Sequence, residues 1–330
     1  MNRLALMLLV LPLSAAAAAV PPALKEVARI HIPGETRWDY LTVDSAAHRL
    51  YVSHATATEV IDTETDKRIG TIADTAGVHG IAIASDLGKG FISDGRANAI
   101  TVFDLKTLKT TATIGVGTNP DAILYDPASH LVMTFNGKSQ DVTIVDAARG
   151  TVVATLPVGG KPEFAQLGAN GQVWFNIEDT NEMAVLDPKA GKLVRRIPLA
   201  PCDSPSGLAV DDRARLYAVC ENHQMVVVSG DAKVLARAPI GAGPDGVAWM
   251  DGAAWSANGQ DGTISVVETT SGRFETVATL RSATGARTIA ADPATHRLYL
   301  PAAELQPAKE GERRAGVPGS FYILVLENAL

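Results

Sequence analysis

Residues 119–159 read NPDAILYDPASHLVMTFNGKSQDVTIVDAARGTVVATLPVG. Four short apolar runs rich in β-branched residues lie in this stretch: Ala122–Tyr125, Leu131–Phe135, Val142–Val145 and Thr151–Leu156. Turn-forming residues separate the runs at Asp126-Pro127, Asn136-Gly137 and Ala148-Arg149-Gly150. Short runs punctuated in this way predict a four-stranded antiparallel meander. One sheet of about forty residues cannot bury both of its faces alone, so we expect further copies of it along the chain.

The opening of this unit recurs at a regular interval through the chain. Each copy begins with a small residue or proline, continues with a polar residue and then enters an apolar run, as in Pro120-Asp121-Ala122-Ile123. The polar residue falls at positions 39, 79, 121, 163, 206, 245 and 287, which are 39 to 43 residues apart. Helical repeats of similar length would show apolar residues every 3.6 positions, and these units do not. Seven copies predict an all-β fold, a seven-bladed β-propeller of four-stranded antiparallel blades.

The spacing also predicts domain boundaries and the way in which the ring closes. We expect a single propeller over residues 20–330, with blades at approximately 37–77, 78–118, 119–160, 161–203, 204–243, 244–285 and 286–330 plus 25–36. The last copy ends with the apolar run Phe321–Leu326, and the run Val27–Ile32 stands unassigned before the first copy. The N-terminal strand should therefore complete blade seven, which leaves the ring without an unpaired edge.

The N-terminus and the overall composition predict where the protein is found. Asn2-Arg3 precedes the apolar run Leu4–Leu13, and Ser14 and five alanines follow, which is typical of a signal peptide over residues 1–19 with cleavage near Ala19. No later segment has 18 unbroken apolar residues, so we expect a periplasmic or secreted protein without a transmembrane segment. The formal net charge of −7 disfavours binding to nucleic acid phosphates.

The chain contains two cysteines, Cys202 and Cys220. They do not form a C-x-x-C motif of the kind found in redox or metal sites. In an oxidising compartment an even pair predicts a structural disulfide, which here would staple the junction of blades four and five.

The strand sequences resemble those of a known family. The runs LYVSH at 50–54, ITVFD at 100–104 and ILVLE at 323–327, together with the (P)D-G-(I/V)-A openings, resemble the YVTN-family β-propeller proteins, in particular the exported bacterial YncE-like group. The resemblance covers residues 25–330 and implies the propeller fold and export. Similar propeller groups bind proteins, nucleic acid or small molecules, and some are metal-dependent lactonases or lyases, so the fold does not fix the function.

Strand direction predicts which side chains share one face. The connections between blades and the second-to-third strand loops should lie together, and we call this the top face. The seven polar positions should then surround the top mouth of the channel: Asp39, His79, Asp121, Glu163, Ser206, Asp245 and Arg287. Arg37 and Trp38 adjoin this ring, and the loops add His54, Asp94, Arg96, Asn136, Asn176, Glu178, Glu221, Asn222, His223, Asn258 and Glu304. We take the top face as the candidate ligand-binding site.

The carboxylates of this ring suggest a cation. Crowded carboxylates need a nearby positive charge, such as Arg287, or raised pKa values. Oxygen ligands suit Ca²⁺ or Mg²⁺, and an added imidazole admits Zn²⁺, so a divalent cation is the candidate cofactor and its candidate ligands are Glu163, Asp121, Asp245 and His79. Glu163 and His79 break the preference of the repeat for aspartate and are the candidate catalytic residues. The alternative is that Asp121 and Asp245 merely cap turns at a wet channel mouth.

Without a recognisable catalytic motif, the prediction is a monomeric binding or scaffold protein that takes a small molecule or a protein partner at its top face. The first alternative is a metal-dependent lactonase or lyase, in which a cation on Glu163 and Asp121 polarises a carbonyl and His79 acts as general acid or base. The second alternative is nucleic-acid binding. His48, His130 and His296 occupy one equivalent turn on the opposite, bottom face, which indicates a structural role.

Overall fold

The computed structural model of the chain describes residues 23–307 and 314–329. These residues form 28 β-strands in seven separate four-stranded sheets, each with purely antiparallel pairing. The predicted seven-bladed propeller is therefore confirmed. In the described part of the chain, no helix has the length and apolar character needed to cross a membrane. The predicted signal peptide, residues 1–19, lies outside the described residues.

The strands follow one another from the channel outward in blades one to six. Blade one contains Trp38–Asp44, Arg49–His54, Ala57–Asp62 and Lys67–Ile72, and blade two contains Val78–Ala84, Lys89–Asp94, Ala99–Asp104 and Thr110–Gly115. Blade three contains Pro120–Asp126, Leu131–Asn136, Asp141–Asp146 and Thr151–Pro157, and blade four contains Pro162–Leu167, Val173–Ile177, Glu182–Asp187 and Lys192–Pro198. Blade five contains Pro205–Val210, Leu216–Cys220, Gln224–Val228 and Val234–Pro239, and blade six contains Pro244–Met250, Ala253–Asn258, Thr263–Glu268 and Thr276–Arg281. Short 3-10 turns lie at Ser45–Ala47, Ser85–Leu87, Ala169–Gly171 and Glu178–Thr180.

Blade seven joins the two ends of the described chain. Its strands are Ala290–Asp292, Arg297–Ala302, Tyr322–Asn328 and, on the outside, Leu24–His31. The outer strand pairs antiparallel with its neighbour, so that Lys25 lies opposite Glu327 and His31 opposite Tyr322. The predicted closure is confirmed, and the outer strand begins at Leu24, three residues before the apolar run from which it was inferred.

The core lies between neighbouring blades rather than within one of them. The second and third strands of each blade are buried on both faces, because blades pack face to face around the ring. For example, Phe91 of blade two packs in one cluster with Val132 and Val145 of blade three. The fourth strands are largely exposed, and Val153 keeps 58% of its surface accessible. A single blade would therefore leave both of its apolar faces in water.

Carboxylates on the bottom face hold the turns between the third and fourth strands. Asp62 accepts hydrogen bonds from the backbone N–H of Thr65 at 2.8 Å and from its hydroxyl, also at 2.8 Å. Asp104 accepts the equivalent bonds from Thr107 at 2.7 and 2.8 Å. Hydrogen bonds from these two threonines lower the pKa of Asp62 and of Asp104. The repeat thus uses aspartate on this face as a turn cap.

The bottom turns between the first and second strands explain the recurring histidines. His48, His130 and His296 have φ angles of 53°, 54° and 56°. This left-handed conformation is uncommon for residues other than glycine, and histidine is among those that adopt it.

Candidate functional site

An irregularity in the inner strands positions the polar ring. In blade one the register between the first two strands shifts between Trp38 and Leu41, and in blade two it shifts between Val78 and Ile81. Blades three to six carry the same shift. A bulge frees residues from the ladder and redirects their side chains. In blades one to six the polar residue of the repeat lies inside the bulge, which lets it meet residues of neighbouring blades.

Three of the predicted ring residues form one group. His79 Nδ1 lies 2.6 Å from Asp39 Oδ2 and 3.6 Å from Asp121 Oδ1, so three successive blades contribute one side chain each. One ligand atom from each of these residues lies within 4.8 Å of the other two. Asp121 is 9% exposed, and its Oδ1 atom has no hydrogen-bond partner among the described residues. Asp121 is therefore not a turn cap, in contrast to Asp62 and Asp104 on the bottom face.

The surroundings of this group perturb its protonation. Burial alone would lower the pKa of His79, but the hydrogen bond to Asp39 and the charges of Asp121 and Asp39 raise it to about 9. Burial raises the pKa of Asp121 to about 6, although His79 works against that shift. Gly95 leaves room for the imidazole, since a Cβ atom there would lie 2.6 Å from His79 Nε2. Burial also raises the pKa of the nearby Asp94 to about 6.

Arg287 joins the ring from blade seven. Its Nε donates to Asp245 Oδ2 at 2.7 Å, and its Nη2 lies 3.6 Å from Asp39 Oδ1 and donates to the carbonyl of Trp38 at 3.0 Å. Burial raises the pKa of Asp245, and the guanidinium of Arg287 opposes that shift. The carboxylate of Asp245, like that of Asp121, faces other residues of the ring and does not cap its own turn.

Lys161 and Tyr40, neither of which was a predicted site residue, hold Glu163 in place. Lys161 Nζ lies 2.8 Å from Glu163 Oε1 and also contacts Glu178, and the hydroxyl of Tyr40 donates to Glu163 Oε2 at 3.3 Å. Burial and the charge of Asp121 raise the pKa of Glu163 well above its usual range. Both carboxylate oxygens of Glu163 have protein partners, so Glu163 is poorly placed as the metal ligand that we expected. Asp39, which we did not expect as a metal ligand, lies close to His79 and Asp121 instead.

Tyr40 links blade one to blade four across the ring. It reaches from blade one to Glu163 of blade four, and its ring meets that of Phe164 edge to face at a centroid distance of 4.6 Å. The inner strands come so close at this level that a Cβ on Gly207 would lie 2.7 Å from the carbonyl oxygen of Asp245.

The structure contains two cavities, which we call the upper and the lower chamber, and they differ in the chemistry of their lining. The upper chamber has a volume of about 590 Å³ and is lined by Trp38, Glu178, Ser204, Ser206, Glu221, Gly243, Pro244, Asp245, Gly259, Gln260, Thr284, Gly285, Arg287, Leu305 and Arg314. The lower chamber has a volume of about 510 Å³, and its walls include the apolar residues Val43, Ile83, Ile123, Leu124, Val210 and Trp249. Charged and hydrogen-bonding side chains are thus concentrated in the upper chamber.

Several predicted ligand-binding residues serve the blades instead. Asn136 and Asn258 are fully buried at the ends of their second strands, where their amides donate to Thr143 and to Ser265 at 3.0 and 2.9 Å. Asn176 is also buried and donates to the carbonyl of Ser206 in the next blade at 2.9 Å. A structural role accounts for these contacts.

His54 is likewise turned into the protein. Its ring is 5% exposed, lies 3.3 Å from Glu59 Oε1 and stacks on Phe321 at a centroid distance of 4.4 Å. Its Nε2 lies 2.6 Å from the carbonyl oxygen of Glu35. A position at the end of a strand therefore did not imply a side chain that faces the channel.

Other predicted residues lie on the outer surface of the top face. Arg96, His223 and Glu304 are exposed, and Arg37 is paired with Glu35 at 3.2 Å. Trp38 is nearer to the site, because it lines the upper chamber, and its Nε1 is buried without a hydrogen-bond partner in the described chain.

The two cysteines form a disulfide, with a Cα–Cα distance of 5.4 Å. Both residues are fully buried. The bond joins the segment before the first strand of blade five to the end of the second strand of that blade, and the predicted pairing is confirmed.

Three residues at the ring, Tyr40, Phe164 and Lys161, were not among the predicted site residues, although the repeat contained a signal for them. Tyr40 and Phe164 occupy the third position of the unit, where the other copies have Gly80, Ala122, Gly207, Gly246 and Thr288. Lys161 stands before Pro162, where the other copies that open with proline have Asn119, Ser204 and Gly243. Departures from the repeat outside the seven ring positions thus carried as much information as those within them.

No protein-family model matches the chain. Among curated proteins, it is 29% identical to protein NirF of Stutzerimonas stutzeri over 118 residues, which are 35% of this chain and 29% of that protein. It is 28% identical to protein NirF of Pseudomonas aeruginosa over 141 residues, 42% of this chain and 35% of that protein. A third match is antigen Lp49 of Leptospira interrogans, 34% identical over 83 residues, 25% of this chain and 18% of that protein. The chain thus spans about a third or less of these relatives.

Solved structures resemble the chain over nearly its whole length. A streptogramin B lyase matches with a TM-score of 0.73 at 14% identity, and the match covers 93% of this chain and 98% of that one. The WD40 repeats of RRP9 match with a TM-score of 0.75 at 11% identity and cover 93% and 99% of the two chains. At such identities the likeness shows the fold alone. Together with the curated matches, it supports a propeller repeat protein.

Proposed function

We propose that this protein is an exported, YncE-like binding protein that takes a small polar molecule into the upper chamber, without catalysis. The observation that carries the proposal is the upper chamber itself, whose volume of about 590 Å³ is large enough for a small molecule. Ligand sites are typically concave and preformed and combine apolar surface with a few placed polar groups. Trp38 and Leu305 supply the apolar surface here.

The lining favours a ligand with charges of both signs. Glu178, Glu221 and Asp245 can bind a cationic group, and Arg287 and Arg314 can bind an anionic one. Arg287 is held over the ring of Trp38 at 5.8 Å from its centroid, so its position is fixed before a ligand arrives. A zwitterionic or amine-bearing molecule fits this chamber better than a polyanion, and the carboxylates at the mouth argue against nucleic acid.

The test is a thermal-shift screen followed by calorimetry. The panel contains amino acids, betaines, polyamines, neutral sugars and carboxylic acids. We expect stabilisation by a zwitterion or amine, with affinity reduced several-fold in Glu221→Gln and unchanged in Glu64→Gln, an exposed carboxylate on the bottom face. If no compound binds but the top face captures a protein from a periplasmic extract, the site serves a protein partner and the small-molecule proposal is wrong.

Export is part of the proposal and has its own test. The pattern of residues 1–19 and the Cys202–Cys220 disulfide support it, because disulfides persist in oxidising compartments. We expect the protein in the periplasmic or secreted fraction, without the first 19 residues and without thiols that react with an alkylating reagent. A full-length protein with two free thiols in the cytoplasm would contradict export.

A metal-dependent lactonase or lyase is the second candidate, and Glu163 is the observation that favours it. A buried carboxyl with a strongly raised pKa beside a cleft can donate a proton at neutral pH. His79 would be the second acid–base group. A screen of lactones and esters, with and without a chelator, should show turnover that Glu163→Gln abolishes. The candidate fails if any turnover persists unchanged in that variant.

A further inference from the structure

The charges at the channel mouth leave one group without full compensation. Lys161 Nζ lies 2.8 Å from Glu163 Oε1, so Glu163 adds no uncompensated negative charge, and Arg287 pairs with Asp245 at 2.7 Å. Asp39 and Asp121 share His79, and Arg287 approaches Asp39 only to 3.6 Å. When an ion replaces the proton on His79 Nδ1, Asp39 and Asp121 contribute two negative charges, which match the charge of one divalent cation.

A second observation concerns an unused ligand atom. Asp121 is nine-tenths buried, and its Oδ1, 3.6 Å from His79 Nδ1, accepts no hydrogen bond from any described residue. A buried carboxylate oxygen without a partner is costly, since it has lost its hydration and gained nothing in return. Such an atom, aimed at a histidine and a second carboxylate, indicates a missing cation.

We infer that Asp39 Oδ2, His79 Nδ1 and Asp121 Oδ1 bind a divalent transition-metal ion at the mouth of the channel. Ligand atoms around a tetrahedral ion with bonds near 2 Å lie about 3.3 Å apart. His79 Nδ1 lies 2.6 and 3.6 Å from the two carboxylate oxygens, within about 1 Å of that value. All three ligand atoms lie within 4.8 Å of one another, so side-chain rotations would bring them around the ion. Among the described residues this is the one group of three such side chains with mutually close ligand atoms.

The donor set defines the class of metal. Two carboxylates and one imidazole favour Zn²⁺, Mn²⁺, Fe²⁺ or Co²⁺ over Ca²⁺, which prefers six to eight oxygens. Three protein ligands leave a position open for water or for a group of a bound molecule. This inference does not depend on the small-molecule proposal, since the ion can be tested alone.

The experiment uses the full mature chain, without an affinity tag and after removal of metals with a chelator. Zn²⁺ is titrated by calorimetry, and Co²⁺ is followed by its visible absorption. We expect one equivalent of ion, with affinity lowered at least about ten-fold in Asp121→Asn and in His79→Gln, since loss of even an outer-sphere partner has an effect of that size. The Co²⁺ bands should disappear in both variants.

The matched control is Asp251→Asn on the bottom face. Asp251 Oδ1 lies 2.8 Å from His296 Nδ1, so this residue belongs to a similar histidine–aspartate pair outside the proposed site. The control should bind Zn²⁺ like the wild type. The inference is overturned if the wild type binds no ion, if Asp121→Asn retains full affinity, or if Asp251→Asn loses as much. Asp121→Asn decides alone if His79→Gln does not fold, because it preserves the shape of the side chain.

Discussion

The two faces of this propeller use the same residue type in opposite ways. On the bottom face, Asp62 and Asp104 accept hydrogen bonds from their own turns, and their pKa values are lowered. On the top face, Asp121 is buried and Asp245 is partly buried in the ring, and their pKa values are raised. A carboxylate that accepts hydrogen bonds from its own turn stabilises the fold. A carboxylate of the ring that receives no such bonds is available to a ligand. Position in the repeat therefore separates structural aspartates from candidate functional ones.

The largest expected effect comes from deleting the buried ring of Tyr40. Tyr40→Ala deletes a buried ring that packs on Phe164, so we expect a loss of about 3 kcal/mol in the free energy of unfolding. Urea denaturation measures this loss. Tyr40→Phe is the control, because it removes only the hydroxyl bond to Glu163 and should cost about 1 kcal/mol. Equal free energies of unfolding for Tyr40→Ala and the wild type would show that the packing of this ring does not stabilise the propeller.

A narrower change should disturb the top face alone. In Gly95→Ala the added methyl group would lie 2.6 Å from His79 Nε2, and relief of that clash should cost about 2 kcal/mol. It should also displace the imidazole, which weakens Zn²⁺ binding. Gly88→Ala is the control for the bottom face, where no atom lies within 4 Å of the new Cβ, although its φ of 64° adds some backbone strain. Retained metal affinity in Gly95→Ala would separate His79 from the proposed ion.

A pair of alanine substitutions tests the comparison directly. Asp62→Ala removes the cap of a turn and should lower the free energy of unfolding by about 1 kcal/mol. Asp121→Ala, measured without metal, should cause no loss, because it removes a buried carboxylate whose Oδ1 has no partner in the described part of the chain. Thermal unfolding of both variants provides the measurement. A larger loss for Asp121→Ala than for Asp62→Ala would reverse the distinction between the faces.

The smallest effect concerns acid stability on the bottom face. Although partial burial works against it, hydrogen bonds from Ser271 and Thr270 lower the pKa of Glu268 to about 2. A lowered pKa means stability that is complete above the unfolded value near 4.3 and is lost as the pH falls toward 2. Glu268→Gln should therefore reduce the pH dependence of stability in that interval, by less than about 1 kcal/mol because the site is largely exposed. Superimposable acid-unfolding curves would contradict this.

The sequence predicted the fold closely because each buried strand is a short apolar run. In blade three, the inferred run Leu131–Phe135 lies within the observed strand Leu131–Asn136, and the polar residue at its end belongs to the strand. Ring closure followed from one missing and one spare strand.

The candidate site was less predictable from the sequence. Successive polar positions, such as Asp39 and His79, could be brought together because neighbouring blades are adjacent by construction. The bond from Tyr40 to Glu163 spans three blades and depends on side-chain length, which a repeat pattern does not encode. The inward turn of His54 depends on packing against Phe321, 267 positions later in the chain.

The strand that closes blade seven also bears on how the chain can fold. Almost every other strand pairs with a neighbour in sequence, so six blades can form progressively from local contacts. Leu24–His31 instead waits for Tyr322–Asn328, the last strand in the described chain. Completion of the ring is therefore the step with the greatest loop-closure cost, and it couples the earliest segment to the latest. A chain shortened at either end would lose the same blade, so damage to one terminus should be felt at the other.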